Sequence, residues 1–504
     1  MMGMRIAAVD VGSNSFHLVV VEADSVGNQR VLAREKAMVR LARGTATTGE
    51  IQPEAFKAGL ETLGRMAEVI RGFECETVMA CGTAALREAS NSGRFLKEAA
   101  KLGIPIRVIS GEEEARLIFQ AISHAIPFPE GPVALVDIGG GSTEITWVHR
   151  GQALASLSMA WGIQRLADAV ATSNPPTPAD FQRVERFLRK IIHKARKSLP
   201  RDLPVPELVL GTAGTLLDLA QGSSGDPSFD RDQLHRFQRK LWRTEAQARI
   251  DRLGVDPKRA EVLHVGASWA SAILRWLGAG QVKVLPVGVR EGMIWEALRH
   301  GGIYIPPLAD RRRASVESLA AKLDPDPGHS LHVQRLAEQL FESLQPYFEL
   351  GEPELEWLGY ACRLHDIGFS IAEKGHHKHG AYLVRNAALQ GFWPQETEIL
   401  AQVVRHHRGR APDPKRHEEF RRLAPWHRQV VEKLSAILRA ADALDRRRRQ
   451  VVRSIKVQSK GETLIFALHG IGDLKTELQA LEEKGRLLFR LLDRPAVLKS
   501  VPSG

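Results

Sequence analysis

An α/β fold of two related lobes, followed by a mostly α-helical domain with a small C-terminal α/β cap, is what this 504-residue sequence predicts. Three observations predict it. As far as residue 298, short β-like runs alternate with amphipathic helical stretches. Two of the β runs repeat one plan, ending in Asp before a glycine turn with hydroxyl residues and a second β run. After Ile303 the pattern turns almost wholly helical. The expected division is lobe I over 1–124, lobe II over 125–303, the helical domain over 304–453 and the cap over 454–504.

Strands are expected at 5–9, 16–22, 77–81, 106–109, 133–137, 144–149, 207–210 and 282–285. Helices are expected at 53–71, 93–102, 112–122, 178–198 and 259–277. The repeated segments are 6–15 and 134–143, each an apolar run closing on Asp10 or Asp137 and followed by Gly, Ser and Asn or Thr. Beyond Pro306-Pro307 and the basic run Arg311-Arg312-Arg313, the stretch 331–345 carries Val333, Leu336, Leu340, Phe341 and Leu344 at helical period. A β-like piece at 454–468 and a closing helix at 474–490 would make the cap.

Hydrophobic residues at 43% and charged residues at 26% exclude a long disordered or fibrous region. Three cysteines without a CxxC pair build neither a disulfide framework nor a thiolate zinc site, so a reducing compartment is expected. With no basic-then-apolar leader and no run of about 18 apolar residues, the chain reads as cytoplasmic, without a membrane partner. The net charge is +11, and 401–460 alone holds 17 Lys and Arg against 6 Asp and Glu. The rest of the chain is balanced. Such a patch, densest at Arg446, Arg447, Arg448 and Arg449, attracts polyanions; DNA is not a required partner.

A hairpin with Gly and Ser or Thr at its tip gathers backbone N–H groups and hydroxyls around one point, which suits a phosphate oxygen. The Asp closing the first strand can hold hydrated Mg²⁺ against that phosphate. One lobe offers Asp10, Gly12, Ser13 and Asn14; the other offers Asp137, Gly139, Gly140, Gly141, Ser142 and Thr143. A tight turn would explain one such hairpin but not two at matching positions. There is no Walker A loop and no GxGxxG opening a helix. Between the hairpins, Thr83 and Arg87 could contact phosphate, and the acids at 112–114 could supply a base for water.

These segments closely resemble the exopolyphosphatase and guanosine pentaphosphate phosphohydrolase (Ppx/GppA) family, whose lobes are actin-like, of ribonuclease H-like fold. DVGSNSFHL resembles its first phosphate motif, CGTAALREASN its arginine motif, SGEEEARL its catalytic glutamate motif and LVDIGGGSTEI its second phosphate motif. GTAGTLLDLA at 211–220 and PVGVREGM at 286–293 are similar to its later loops. The resemblance implies that Glu114 activates the attacking water, Arg87 holds the terminal phosphate, Asp137 and Glu144 position Mg²⁺ or its waters, and the hairpins bind the chain. It also implies a homodimer. Phosphoanhydride hydrolysis asks for an in-line water, a base, a cation and Arg, since the transition state needs little covalent help.

After Ile303, where 11 of the 18 histidines lie, His332, the pair His365-Asp366 and Asp442 fall on successive expected helices. That order resembles the HD phosphohydrolase superfamily. It implies a site for Mn²⁺, Fe²⁺, Zn²⁺ or Mg²⁺, with His379 and His406 or His407 as further ligands. The expected activity is Mg²⁺-dependent, processive release of orthophosphate from inorganic polyphosphate, with Arg446 to Arg449 holding the tail of a long chain. The rivals are guanosine pentaphosphate hydrolysis, a dual enzyme using the HD site for nucleotides, and a non-catalytic sensor, which the presence of Glu114 disfavours.

Overall fold

A computed structural model describes residues 3–24, 27, 29–387 and 389–502. They form two compact units that divide after Pro306. The first unit carries two sheets. One has the order β3-β2-β1-β4-β5, with β1 Met4–Val11, β2 Ser15–Ala23, β3 Gln29–Met38, β4 Thr77–Gly82 and β5 Arg107–Val108. The other has the order β10-β11-β9-β6-β7-β8, with β6 Val133–Ile138, β7 Thr143–His149, β8 Gln152–Met159, β9 Leu208–Thr212, β10 Ser228–Asp230 and β11 Gln281–Val284. In each, the Asp-bearing strand, β1 or β6, pairs antiparallel with the strand after its glycine hairpin and parallel with a later strand, β4 or β9. The repeat in the sequence is therefore a repeat of topology, β3-β2-β1-β4-β5 matching β8-β7-β6-β9-β11.

β1 and β6 read as continuous apolar runs because both of their faces are covered; Ile6, Ala7, Ala8 and Val9 are all fully buried. β3 and β8 have no such run and were not expected. They are outer strands with half-exposed faces, and β3 carries Arg30, Arg34, Glu35 and Lys36, charges that discourage further edge pairing. The helix Pro53–Gly72 starts on its proline, Gly111–Ala125 on Ser110 accepting from the Glu113 N–H at 3.1 Å, and Pro178–Arg196 on a Thr177–Asp180 capping box. The helix expected from 259 begins at Leu263.

One face of the first sheet packs Val9 and Phe16 on Leu63 and Phe95. Its other face packs Ile6, Ala8, Val19 and Val21 on Leu117 and on Met293, Ile294 and Leu298 of the helix Val289–His300. That late helix, within the stretch assigned to lobe II, thus returns to lobe I. In the second unit the helices Pro327–Phe348, Glu352–Leu364, His376–Asn386, Pro394–His406 and Pro425–Ala443 surround one core. A three-stranded sheet, β12 Val452–Lys460, β13 Thr463–Gly470 and β14 Ala496–Pro502, contributes Ile455, Leu464, Phe466 and Leu468 to that same core. The expected closing helix is two, Lys475–Lys484 and Arg486–Leu492, and β14 beyond them was not foreseen. Among the described residues no helix is long and apolar enough to cross a membrane.

Gly292 is where the returning helix touches the helix Gly111–Ala125: a Cβ there would lie 2.2 Å from the Leu117 carbonyl oxygen. Since the obstacle is backbone, Gly292→Ala is expected to cost about 1–3 kcal/mol of stability, read by urea unfolding.

Candidate active site

The two glycine hairpins bring their tips together. Gly12 N–H donates to the Ser15 carbonyl at 3.2 Å and Gly139 N–H to the Ser142 carbonyl at 3.0 Å, closing matched turns. A Cβ on Gly140 would lie 3.1 Å from Asn14 Cβ, and one on Gly141 would meet Ser13 Oγ at 2.4 Å. Bare backbone is therefore what lets the tips approach. The N–H groups of Ser13, Asn14, Gly140 and Gly141 find no acceptor among the described residues and, with Thr83 at the start of the helix Ala84–Glu88, line a cleft of about 450 Å³.

Four carboxylates converge beside these tips. Strand register sets Glu144 directly opposite Asp137, a like-charged cross-strand pair. Asp137 accepts from the Thr212 hydroxyl at 2.5 Å and Glu144 from Ser158 at 2.8 Å. Gly111 has its own reason to be glycine, since a Cβ would strike Ser158 Oγ. The helix can therefore start against β8 and present Glu114 from its first turn. Arg87 Nη1 donates to the Ile109 carbonyl at 2.7 Å and stands 3.7 Å from Glu114 Oε2.

Burial dominates the electrostatics. It pushes the Asp10 carboxyl up to about 6 despite Arg290, and Asp137 to about 6 despite the Thr212 hydroxyl. Burial and then the Asp137 charge push Glu144 up to about 8. Glu114 is raised well above the ordinary range by burial and by Glu144, Asp137 and Asp10, with Arg87 opposing. Asp10 Oδ1, Glu114 Oε2 and Glu144 Oε2 are buried without a hydrogen-bond partner among the described residues. This acceptor-rich, under-neutralised set fits a hydrated Mg²⁺, which keeps several waters and needs few direct carboxylates. Its oxygens do not form a tight triad: among the described residues, the His, Cys, Asp and Glu triads within 4.8 Å lie in the second unit.

Sequence reasoning missed the cations of this cleft. Arg34 and Lys36 reach it from β3, His17 from β2, Arg259 from the turn before the helix Leu263–Leu277, and Arg290 from the returning helix. Burial first, and then the charges of Arg290, Lys36 and Arg259, hold the His17 imidazole down at about 3. The period-two placement of Arg34 and Lys36 was the available signal; His17 and Arg290 sat unassigned within quoted motifs.

The second unit gathers a different set from the one expected. His365 and Asp366 are central, as foreseen, with Nε2 to Oδ2 at 3.6 Å. His329, not His332, faces them, with Nε2 3.4 Å from Asp442 Oδ1 and 4.0 Å from Asp366 Oδ2. His376 and His407, not His379 and His406, complete the group, at 3.7 and 3.9 Å from Asp366 Oδ1 and 3.2 Å from each other. His332 turns instead to Arg335, His406 to the Arg410 carbonyl, and His379 takes no part. Residues three apart on a helix share nearly one face, so spacing could not choose between them.

The four-arginine patch is also altered. Arg447 binds Glu477 at 2.7 and 2.6 Å, and Arg448 binds Asp366 at 2.6 Å and Asp326 at 3.2 Å. Among the described residues, Arg446 and Arg449 of these four have no carboxylate partner, and Arg448 stands at φ 53°.

Residues 19–300 match the model of the Ppx/GppA phosphatase family, and residues 311–481 match that of Ppx/GppA phosphatase domain III. An exopolyphosphatase from Cytophaga hutchinsonii is similar at 25% identity, over 59% of this chain and 98% of its own, with a TM-score of 0.55. The Aquifex aeolicus member of the Ppx/GppA protein family is similar at 26% identity, over 59% and 98%, with a TM-score of 0.51.

Between the ordinary carboxyl values and the raised ones, the native state holds protons that the unfolded chain has released, so stability falls as pH rises. Without divalent cations the loss is expected to run from about pH 4 to about pH 8, roughly 3 kcal/mol for each of Asp10 and Asp137. Mg²⁺ should flatten it. Urea unfolding across that window, with and without Mg²⁺, checks both statements.

Proposed function

Because the chain belongs to the Ppx/GppA phosphatase family, we propose that it is an exopolyphosphatase, releasing orthophosphate from the end of inorganic polyphosphate with Mg²⁺. The observation carrying this reading is one cleft in which buried carboxylates lie beside a run of cations, Arg34, Lys36, Arg259 and Arg290. A chain with charge on every phosphate can place its end at the carboxylates and its following phosphates on the cations. Among the described residues no Phe, Tyr or Trp lines this cleft, which leaves the His17 imidazole as the aromatic ring a nucleobase would meet there.

Ser13, Asn14, Gly140 and Gly141 offer N–H groups to the terminal phosphate, and Arg87 orients it and favours the ionised form of Glu114. Glu114 accepts the proton of a water attacking phosphorus in line, as the anhydride P–O bond breaks. Asp137 and Glu144 would hold Mg²⁺ through its waters; when bound, the ion neutralises phosphate oxygens and the buried carboxylates alike. Glu114→Gln is expected to leave polyphosphate binding intact and lower turnover by about 10²–10⁴-fold. The decisive assay is phosphate release from long polyphosphate and from guanosine pentaphosphate, side by side, for wild type and variant. Release from the pentaphosphate alone would replace this reading with the nucleotide one.

For the second unit we infer a divalent transition-metal site formed by His329, His365, Asp366, His376 and His407, with Asp442 beside it. The supporting observation is that His365, His376 and His407 tie their Nδ1 atoms to the carbonyls of Cys362, Glu373 and Val404 at 2.7, 3.0 and 2.6 Å. Donating there leaves each Nε2 with a free lone pair turned to Asp366. Asp366→Ala should lose Mn²⁺ or Zn²⁺ in elemental analysis while polyphosphate hydrolysis persists in part. Wild type that takes up neither metal contradicts the site.

A further inference from the structure

The chain from 183 to 201 carries eight Lys and Arg and a single acid, Glu185. The excess is hidden in composition because the chain outside 401–460 is balanced as a whole. The fold separates it. The helix Pro178–Arg196 buries Val184, Leu188 and Ala195. At 100° per residue the opposite face holds Arg186, Arg189, Lys190, His193, Arg196 and, at the cap, Lys197. All six are exposed, and none has a carboxylate within ion-pair distance among the described residues. Glu185, at the edge of this face, is already bound to Arg275 at 2.9 Å.

Like charges at i,i+4, as in Arg186 with Lys190 and Lys190 with Lys194, each cost a helix about 0.2–0.5 kcal/mol. Surface helices ordinarily relieve this by mixing signs, and this one does not. Beside the face lie two adjoining grooves of about 720 and 280 Å³, which meet at Arg196 and Trp276; the smaller continues to Arg201. Val262, at the head of the helix Leu263–Leu277, lines the catalytic cleft, and Trp276, near its other end, lines the grooves. About 21 Å of helix separates the two places, so this surface is not part of the cleft.

We propose that this basic face of lobe II is an exosite for the distal part of a polyphosphate chain whose end occupies the cleft. The proposal rests on the exopolyphosphatase reading. A row of unpaired cations with no acid among them matches a flexible ligand charged at every unit, and neutralisation removes the repulsion within the helix. The same feature supplies the tether that Arg446 to Arg449 cannot, with Arg447 and Arg448 committed to carboxylates.

The test is the variant Arg189→Ser, Lys190→Ser, Arg196→Ser in the full chain; all three residues lie outside the catalytic cleft. For long-chain polyphosphate KM is expected to rise about tenfold, with kcat kept and a shallower dependence on salt; for tripolyphosphate both constants should stay as in wild type. Retardation of long polyphosphate in a native gel, independent of turnover, should weaken in the same variant. Wild type that retards polyphosphate without hydrolysing it would remove the exopolyphosphatase reading and leave the exosite standing. Unchanged long-chain KM and retardation, an equal KM rise for the short substrate, or single-stranded RNA outcompeting polyphosphate for this face would each overturn the exosite.

Discussion

Asp137 and Glu144 face one another across an antiparallel strand pair in a place with little water, and Asp10 and Glu114 are brought up beside them. Burial makes each of these charges costly and their mutual repulsion adds to it, so the four carboxyl groups tend to take up protons, which is what their raised pKa values express. Much of the first unit serves to hold that repulsion in place. β1 and β6 are buried on both faces, the glycines let hairpins and helix come close, and Thr212, Ser158 and Arg87 each neutralise part of the charge. The stored charge is useful because a cation and a polyphosphate end together complete it.

The same cleft carries the opposite sign a short way along. Arg34 and Lys36, Arg259, and Arg290 come from three separate stretches of chain. Arg290 is there because the helix Val289–His300 crosses back to close the far face of the first sheet. Stability and binding are thus coupled in one element. The helix that buries Met293, Ile294 and Leu298 also delivers a guanidinium to the site.

In the second unit, backbone carbonyls orient the imidazoles of His365, His376 and His407, and Arg448 and Lys484 sit on the carboxylates of Asp366 and Asp442 at 2.6 Å. The cationic side chains therefore answer for charge in the core there, as the hydroxyls and Arg87 do in the first unit. A run of four arginines that looks like one free surface patch is in fact divided between two exposed side chains that pair with carboxylates and two that do not.

The sequence by itself determined the two-lobe repeat and the paired glycine hairpins with Asp10 and Asp137, because each depends on a local pattern, an apolar run closing on Asp and a glycine turn; Glu114, Arg87 and Glu144 came instead from the resemblance of their motifs to those of the family. It also determined that His365 and Asp366 stand together, being neighbours in the chain. Only the tertiary structure decided which of His329 and His332, His376 and His379, or His406 and His407 turns toward them, since residues three apart share nearly one helix face and the adjacent pair at 406–407 is told apart only by how its helix end packs. It likewise decided the edge strands β3 and β8, whose exposed faces carry no apolar alternation, and with β3 the placing of Arg34 and Lys36 in the cleft. Charge summed along a chain does not say which face a side chain occupies or what it pairs with, and so the basic helix face of lobe II and the pairing of Arg448 with Asp366 became visible only in the folded chain.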